Sequence, residues 1–358
     1  MKKKIFLSFD FYGSGNIGDD IMLEGFIKGM GNEIFEYYCY VPESRKHIKK
    51  RFRGINFVTK EEKEVTERSC PVWIGAGDTP VQVKSGDWFL KKLNADREIL
   101  KQTGARYFFA GIGAEAEAEV KKELFLEILN DAEHIWTRDK MTYDFLKEVI
   151  GVNQEKVSLS SDLANIFLHD ELGGISKNYD ERKYDIGICY YDENASSSNI
   201  FELKKFLKKN FKRYRSLLIC NDINVRGNFE YSGYVKMFSR MEKLFRRDIK
   251  ICLPEYFTEE DTGKLISHFA DCRLVMSSRY HVLLTAAWAG CKVISMERSS
   301  KVTALSKELN IFEIKKPFTA EKLNESISKA SIVDRDLLLD LYKKSINGVK
   351  ELSNIISK

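Results

Sequence analysis

Arg279 and His281 stand two residues apart at a junction between two apolar runs, in the segment Ser277-Ser278-Arg279-Tyr280-His281. The run before it, Arg273-Leu274-Val275-Met276, reads as a strand. The run after it, Val282-Leu283-Leu284-Thr285-Ala286-Ala287-Trp288-Ala289, reads as a helix so apolar that it must be buried. A helix N-terminus presents unbonded N–H groups and the positive end of its dipole to an anion. A guanidinium there adds a fork that fits a carboxylate or phosphate, and an imidazole adds a group that exchanges a proton near neutral pH. The chemistry implied is anion binding by Ser278 and Arg279 with general acid–base catalysis by His281. The other histidines, at 47, 134, 169 and 268, have no comparable setting.

Three further segments carry residue types of the same kind. Tyr12-Gly13-Ser14-Gly15-Asn16-Ile17-Gly18-Asp19-Asp20 follows a first strand and opens a helix, so its glycines permit a sharp turn and close backbone approach to a ligand. It lacks the Gly-Lys-Ser/Thr of a phosphate-binding P-loop and the spacing of a dinucleotide fingerprint, which leaves Asn16, Gly18 and Asp19 as its candidate binding residues. Val72-Trp73-Ile74-Gly75-Ala76-Gly77-Asp78 ends a strand on Gly75 and Gly77, and Gly111-Ile112-Gly113 ends another. Trp136-Thr137-Arg138-Asp139 ends a strand on an Arg-Asp pair, with Arg138 read as a second anion-binding guanidinium.

Groups so far apart in the chain meet only if the fold brings strand ends together. Short apolar runs alternate with stretches of helical period, the pattern of βαβ units and mostly parallel sheets. Strands are expected at 4–11, 34–41, 71–76, 105–111, 134–137 and 156–160, then at 184–191, 216–221, 249–253, 273–277 and 292–296. Helices are expected at 18–30, 87–102, 116–130 and 140–149, then at 198–212, 229–245, 258–270, 280–289 and 301–309. The expectation is an α/β protein of two Rossmann-like domains facing a cleft: 1–172, a linker at 173–183 containing Gly173-Gly174, 184–318, and C-terminal helices over 319–358. In such sheets ligands bind beyond the carboxyl ends of the strands, where all four segments fall.

A chain of 358 residues is long enough for two cores. Its 58 Lys and Arg against 53 Asp and Glu give a net charge of +5, too mild for a nucleic-acid binder but suited to an anionic small molecule. Seven scattered cysteines without a C-x-x-C pair point to buried free thiols in a reducing, cytoplasmic setting and to no metal. The basic run 204–215 places Phe201, Leu203, Phe206, Leu207, Phe211 and Tyr214 on one helical face, which makes it a surface helix with a solvated basic side. Peripheral contact with the inner face of a membrane is the second reading of that run.

Taken together, these segments resemble the polysaccharide pyruvyl transferase family. Asn16-Ile17-Gly18-Asp19-Asp20 is similar to that family's N-x-G-D-E/D motif, Arg138-Asp139 with Met141 and Leu146 to its R-D stretch, and Ser161-Asp162 to a later aspartate. Arg279-Tyr280-His281 with Ala286-Ala287 and Gly290 resembles its R-x-H signature, and Lys301-Val302 with Leu305 and Leu309 its Y-x-x-K-V region. Gly75-Ala76-Gly77 departs from the usual glycine triplet, and Arg298 stands where a tyrosine is usual. The resemblance implies a GT-B-like pair of domains and transfer of pyruvate from phosphoenolpyruvate, the donor substrate, to a sugar or lipid-linked glycan as a ketal, with no cofactor. Arg279 and Arg138 would then clamp the donor from opposite domains, His281 would protonate it, and Lys301 would add charge for its phosphate. Two other functions use the same features: glycosyl transfer from a nucleotide sugar, and a non-catalytic relative acting as a binding or regulatory protein.

Overall fold

The structure, a computed structural model, describes residues 2–80, 88–115, 122–174, 179–191, 198–223, 238–245 and 248–358. The chain divides into two compact units. Unit 1 comprises Met1–Gly13, Asp19–Phe167 and Leu339–Lys358, and unit 2 comprises Ser14–Gly18 and Leu168–Leu338.

Unit 1 is built on a seven-stranded sheet of β1 (Lys3–Leu7), β2 (Phe35–Tyr40), β3 (Ile55–Val58), β4 (Val72–Ala76), β5 (Arg106–Ile112), β6 (His134–Thr137) and β7 (Val157–Leu159). They lie in the order β3-β2-β1-β4-β5-β6-β7, and every pairing is parallel. The central strands are apolar without alternation because helices cover both faces: all five residues of β4 are buried.

Unit 2 repeats the plan with β8 (Tyr184–Cys189), β9 (Ser216–Ile219), β10 (Ile249–Cys252), β11 (Cys272–Ser277), β12 (Lys292–Met296) and β13 (Phe312–Ile314), in the order β10-β9-β8-β11-β12-β13. A two-residue strand, β14 (Ser331–Ile332), pairs antiparallel with the start of β12. One face of this sheet packs Ile186, Ile188, Leu274, Met276, Ile294 and Met296 against Leu203, Phe206 and Leu207 of the helix Ser198–Asn210. That helix leaves Lys205, Lys208 and Lys209 exposed, as its period predicts. Phe201, expected on the packed face, is instead 63% exposed.

Both sheets therefore reverse their winding once, between β1 and β4 in unit 1 and between β8 and β11 in unit 2. At such a point the loops leaving neighbouring strands part in opposite directions and open a crevice at the carboxyl end.

Several elements differ from the sequence expectation. Strand β3 and the helix Lys60–Ser69 went unpredicted, because Lys60–Ser69 has no apolar stripe. It is held by a capping box in which Thr59 and Glu62 bond each other's backbone N–H. Residues 140–149 form the short helix Lys140–Asp144, which runs on as a π-helix over Phe145–Ile150. Most of the C-terminal helix Arg335–Ser357 belongs to unit 1. There Trp136 Nε1 donates to Glu351, Ser345 Oγ donates to the Asp162 carbonyl, and Ser160 Oγ donates to the Lys344 carbonyl. The expected helices at 229–245 and 116–130 and the expected linker lie partly outside the described residues. Among the described residues, no helix is long and apolar enough to cross a membrane. The seven cysteines are free thiols.

Candidate active site

The strand ends on either side of the unit 2 crossover are laced together by Ser277 and Ser278. The Ser278 N–H donates to the Cys189 carbonyl at 3.1 Å, continuing the β8–β11 ladder by one rung. Its hydroxyl accepts from the Tyr191 N–H at 2.8 Å and donates to the Tyr191 carbonyl at 3.2 Å, while the side chain is wholly buried. Ser278 thus ties Tyr191 to the end of β11. Ser277 Oγ accepts from the Arg279 N–H at 2.9 Å and fixes the turn into the helix Tyr280–Trp288.

Arg279 is the N-cap of that helix and makes no side-chain cap bond. Its guanidinium instead donates from Nη2 to Asp222 Oδ2 at 3.1 Å, and its Cζ lies 4.3 Å from the centre of the Tyr191 ring. Asp222 follows β9, the neighbour of β8, so the crossover gathers the ends of three adjacent strands. All eight residues of Tyr280–Trp288 other than His281 are buried, which leaves the imidazole as the half-exposed group of this helix. Arg182 anchors the helix's other end, donating to the Ala289 carbonyl at 2.8 Å and to the Cys272 carbonyl at 2.7 Å, a cation at the negative pole of the dipole.

The segment Ser14–Gly18 completes this group. Asn16 and Asp222 form an antiparallel bridge; the Ile17 N–H donates to the Asn221 carbonyl, and the Ile223 N–H donates to the Gly15 carbonyl. Asn16 Oδ1 accepts from the Gly18 N–H at 3.1 Å, which tightens the turn into the helix Ile17–Met30. Gly18 touches His281 so closely that a Cβ at position 18 would lie 2.2 Å from His281 Nδ1. Asn16, Gly18, Ser278, Arg279 and His281, separated by more than 250 residues of chain, are therefore one constellation within unit 2.

The other expected site residues are placed differently. Arg138 is 2% exposed, donates to Asp139 at 3.2 Å, lies 3.9 Å from Asp162 and rests on the α-carbon of Gly113. Within unit 1 it lies between the ends of β5, β6 and β7. Gly75 faces Phe9 and Phe109, and Gly77, with φ at +74°, faces Met22. A Cβ at either position would meet the protein's own side chains. Asp19 is partly exposed, whereas its neighbour Asp20 is fully buried, accepting from the Gly13 N–H at 2.9 Å and pairing with Arg51. Burial and then the nearby Cys39, Asp78, Asp19 and Asp10 push the Tyr12 hydroxyl well above its ordinary range. Lys301 sits partly exposed in the first turn of the helix Ser300–Glu308.

Sequence reasoning missed Tyr191 and Asp222, the partners of Ser278 and Arg279. Each stands just beyond a parallel strand, where the strand-end rule would have found it.

A family model for polysaccharide pyruvyl transferase matches residues 16–300. None of the curated proteins matches the chain in sequence. The UDP-GlcNAc 2-epimerase from Methanocaldococcus jannaschii is similar in structure, with a TM-score of 0.63 and 11% identity, covering 99% of this chain and 100% of that one. Anabaena HepE in complex with UDP gives 0.61 and 11%, covering 99% of each chain. A glycosyltransferase from Rickettsia africae gives 0.56 and 12%, covering 98% and 94%. At these identities the likeness concerns the fold alone: two α/β domains with mostly parallel sheets, of the kind found in GT-B glycosyltransferases and epimerases. The family match begins at Asn16, spans Arg279 and His281, and covers well over half of the sequence; the chain belongs to the polysaccharide pyruvyl transferase family.

Proposed function

We propose that the protein transfers pyruvate from phosphoenolpyruvate to two hydroxyls of a sugar, in a surface polysaccharide or its lipid-linked precursor, and forms a pyruvate ketal. The observation that carries this reading is the pairing of Arg279 and His281 at the N-terminus of a buried helix, at the crossover of the unit 2 sheet. Phosphoenolpyruvate is an anion whose C2 becomes electrophilic once its C3 methylene takes a proton. Arg279 and the helix N–H groups hold the anion, and His281 as imidazolium gives its proton to C3, breaking the C2–C3 double bond. The first sugar hydroxyl bonds to C2, and its proton returns to the imidazole. Phosphate then leaves C2 with the electrons of its C–O bond, the second hydroxyl closes the ketal, and that hydroxyl's proton passes to phosphate or water. The balance is phosphoenolpyruvate plus a diol giving ketal plus inorganic phosphate.

The test is phosphate release from phosphoenolpyruvate with acceptor present. His281→Ala is expected to abolish it while leaving the thermal unfolding midpoint in place, and retained turnover would remove His281 from the mechanism. Thermal-shift titration separates the competing reading: stabilisation by a nucleoside diphosphate but not by phosphoenolpyruvate would favour glycosyl transfer from a nucleotide sugar.

A further inference from the structure

Phe201 is the most exposed aromatic side chain among the described residues, at 63%. It lies in the helix Ser198–Asn210 of unit 2, where Lys204, Lys205 and Lys208 follow it at the spacings that share one helical face. Lys205 Nζ stands 5.7 Å from the centre of the Phe201 ring. A second helical stretch, 238–244, runs beside this helix and in the same direction. Lys204 Nζ lies 6.0 Å from the Phe238 ring, and two turns further along both stretches the Phe211 and Phe245 rings are 4.1 Å apart. Leu203, Phe206, Leu207 and Phe238 pack on the sheet, which leaves the other side of both stretches facing outward. On that side the second stretch exposes Leu244, at 76%, with Arg240 and Lys243.

The carboxylates of these stretches are engaged elsewhere. Glu202 accepts from the Ala320 N–H at 2.8 Å and pairs with Lys205, and Glu242 accepts from the Ile251 N–H at 2.9 Å. Lys209 pairs with Glu321, whereas Lys208, Arg240 and Lys243 form no ion pair among the described residues. The face therefore carries excess positive charge around two large apolar side chains. A phenylalanine set among lysines does not suit a protein partner, whose interface core takes aromatics and excludes lysine. A nucleic acid would stack a base on Phe201 but find no stacking surface in Leu244. A lipid surface takes both, because the acyl boundary accepts phenyl and leucyl groups alike while anionic headgroups answer lysine and arginine. We infer that this face of unit 2 docks on an anionic phospholipid surface, with Phe201 and Leu244 as the inserted groups. No helix among the described residues is long and apolar enough to span a membrane, so these two helical stretches provide a peripheral contact. None of these residues belongs to the constellation around Arg279 and His281, and the inference does not rest on pyruvyl transfer.

Flotation of the whole protein with vesicles of mixed phosphatidylglycerol and phosphatidylcholine, against vesicles of phosphatidylcholine alone, tests this. The wild type is expected to float with the anionic vesicles only, and to be released as salt is raised. Phe201→Ala should weaken the partition by about tenfold or more, as loss of one buried phenyl group implies. Lys208→Gln and Lys243→Gln should each weaken it by about fivefold, the worth of one basic residue at an anionic surface. Lys101→Gln, an exposed substitution in unit 1, should bind as the wild type does. All of these side chains are exposed, so the thermal midpoints should hold. Phe201→Trp reads insertion directly: its emission should shift to the blue with anionic vesicles and be quenched by brominated acyl chains. A wild type that ignores anionic vesicles would overturn the inference, and so would undiminished binding by Phe201→Ala or equal weakening by Lys101→Gln. Binding to heparin or a single-stranded oligonucleotide without binding to vesicles would overturn it in favour of a soluble polyanion.

Discussion

Gly18→Ala isolates the placement of His281 from the chemistry of His281. The three atoms nearest a Cβ at position 18 all belong to that imidazole: Nδ1 at 2.2 Å, Cγ at 2.8 Å and Cε1 at 3.1 Å. The added methyl acts on one partly exposed side chain, and the ring must retreat by roughly 1 Å to reach ordinary contact distance. A displacement of that size at a proton-transferring group costs about 10²-fold in rate, or roughly 2.7 kcal/mol of barrier. Stability should barely change, because alanine favours the helix Ile17–Met30 by roughly 0.5–1 kcal/mol over glycine, which offsets the crowding. Steady-state phosphate release gives the rate, and urea unfolding of the same preparation gives the stability. Wild-type turnover in Gly18→Ala would refute the reasoning, since the ring would then be crowded without consequence. A loss of activity that tracks a loss of folded protein would refute it as well.

Other substitutions probe the supports of the site. Gly25→Ala is the contrasting case: its Cβ would lie 1.9 Å from the Leu163 carbonyl oxygen, which cannot swing away, so urea unfolding should show a loss of about 1–3 kcal/mol or more. Ser278→Ala removes both bonds to the Tyr191 backbone in a buried position and should cost about 1–3 kcal/mol in the same measurement. Arg138→Met leaves Asp139 and Asp162 buried without their guanidinium, and a loss of about 3–5 kcal/mol is expected, with wild-type affinity for phosphate in the fraction that folds. Burial holds the His268 imidazole down to about 4, against a weaker opposing pull from Asp271. The unfolded chain then binds this proton below about pH 6.5 while the folded one does not, so stability falls as pH drops from there toward 4, by about 3 kcal/mol from this group. Denaturation midpoints across that range should show the slope, and His268→Leu should flatten it.

The chemical core of the site was readable because polar residues interrupt apolar runs at strand ends. Ser277 to His281 stands between a strand and a helix too apolar to be exposed, and the structure puts its turn at that place. The partners of those residues were not readable in the same way. Asp222 meets Arg279 across 57 residues of chain, and Arg298 meets Tyr191 across more than 100; no local period records such pairings. The surroundings of the glycines were not readable either. Gly75, Gly77 and Gly18 occupy similar turns in the sequence, yet two admit core side chains and the third admits His281. What a glycine makes room for is decided by tertiary packing. The same holds for the final helix, whose amphipathic period predicted a helix but not its return to unit 1, where Trp136 and Asp162 receive it. The helix Lys60–Ser69 had a local signal after all, in Thr59 and Glu62, but no apolar stripe to draw attention to it.

Transfer in deuterated water, followed by mass spectrometry of glycan acceptors incubated with protein and phosphoenolpyruvate, tests the central claim most directly. The account predicts a ketal carrying one deuterium in its methyl group, formed one-for-one with inorganic phosphate by the wild type and not by folded His281→Gln. Ketal formation by His281→Gln at the wild-type rate, or hexose addition from a nucleotide sugar with no ketal from phosphoenolpyruvate, would contradict it.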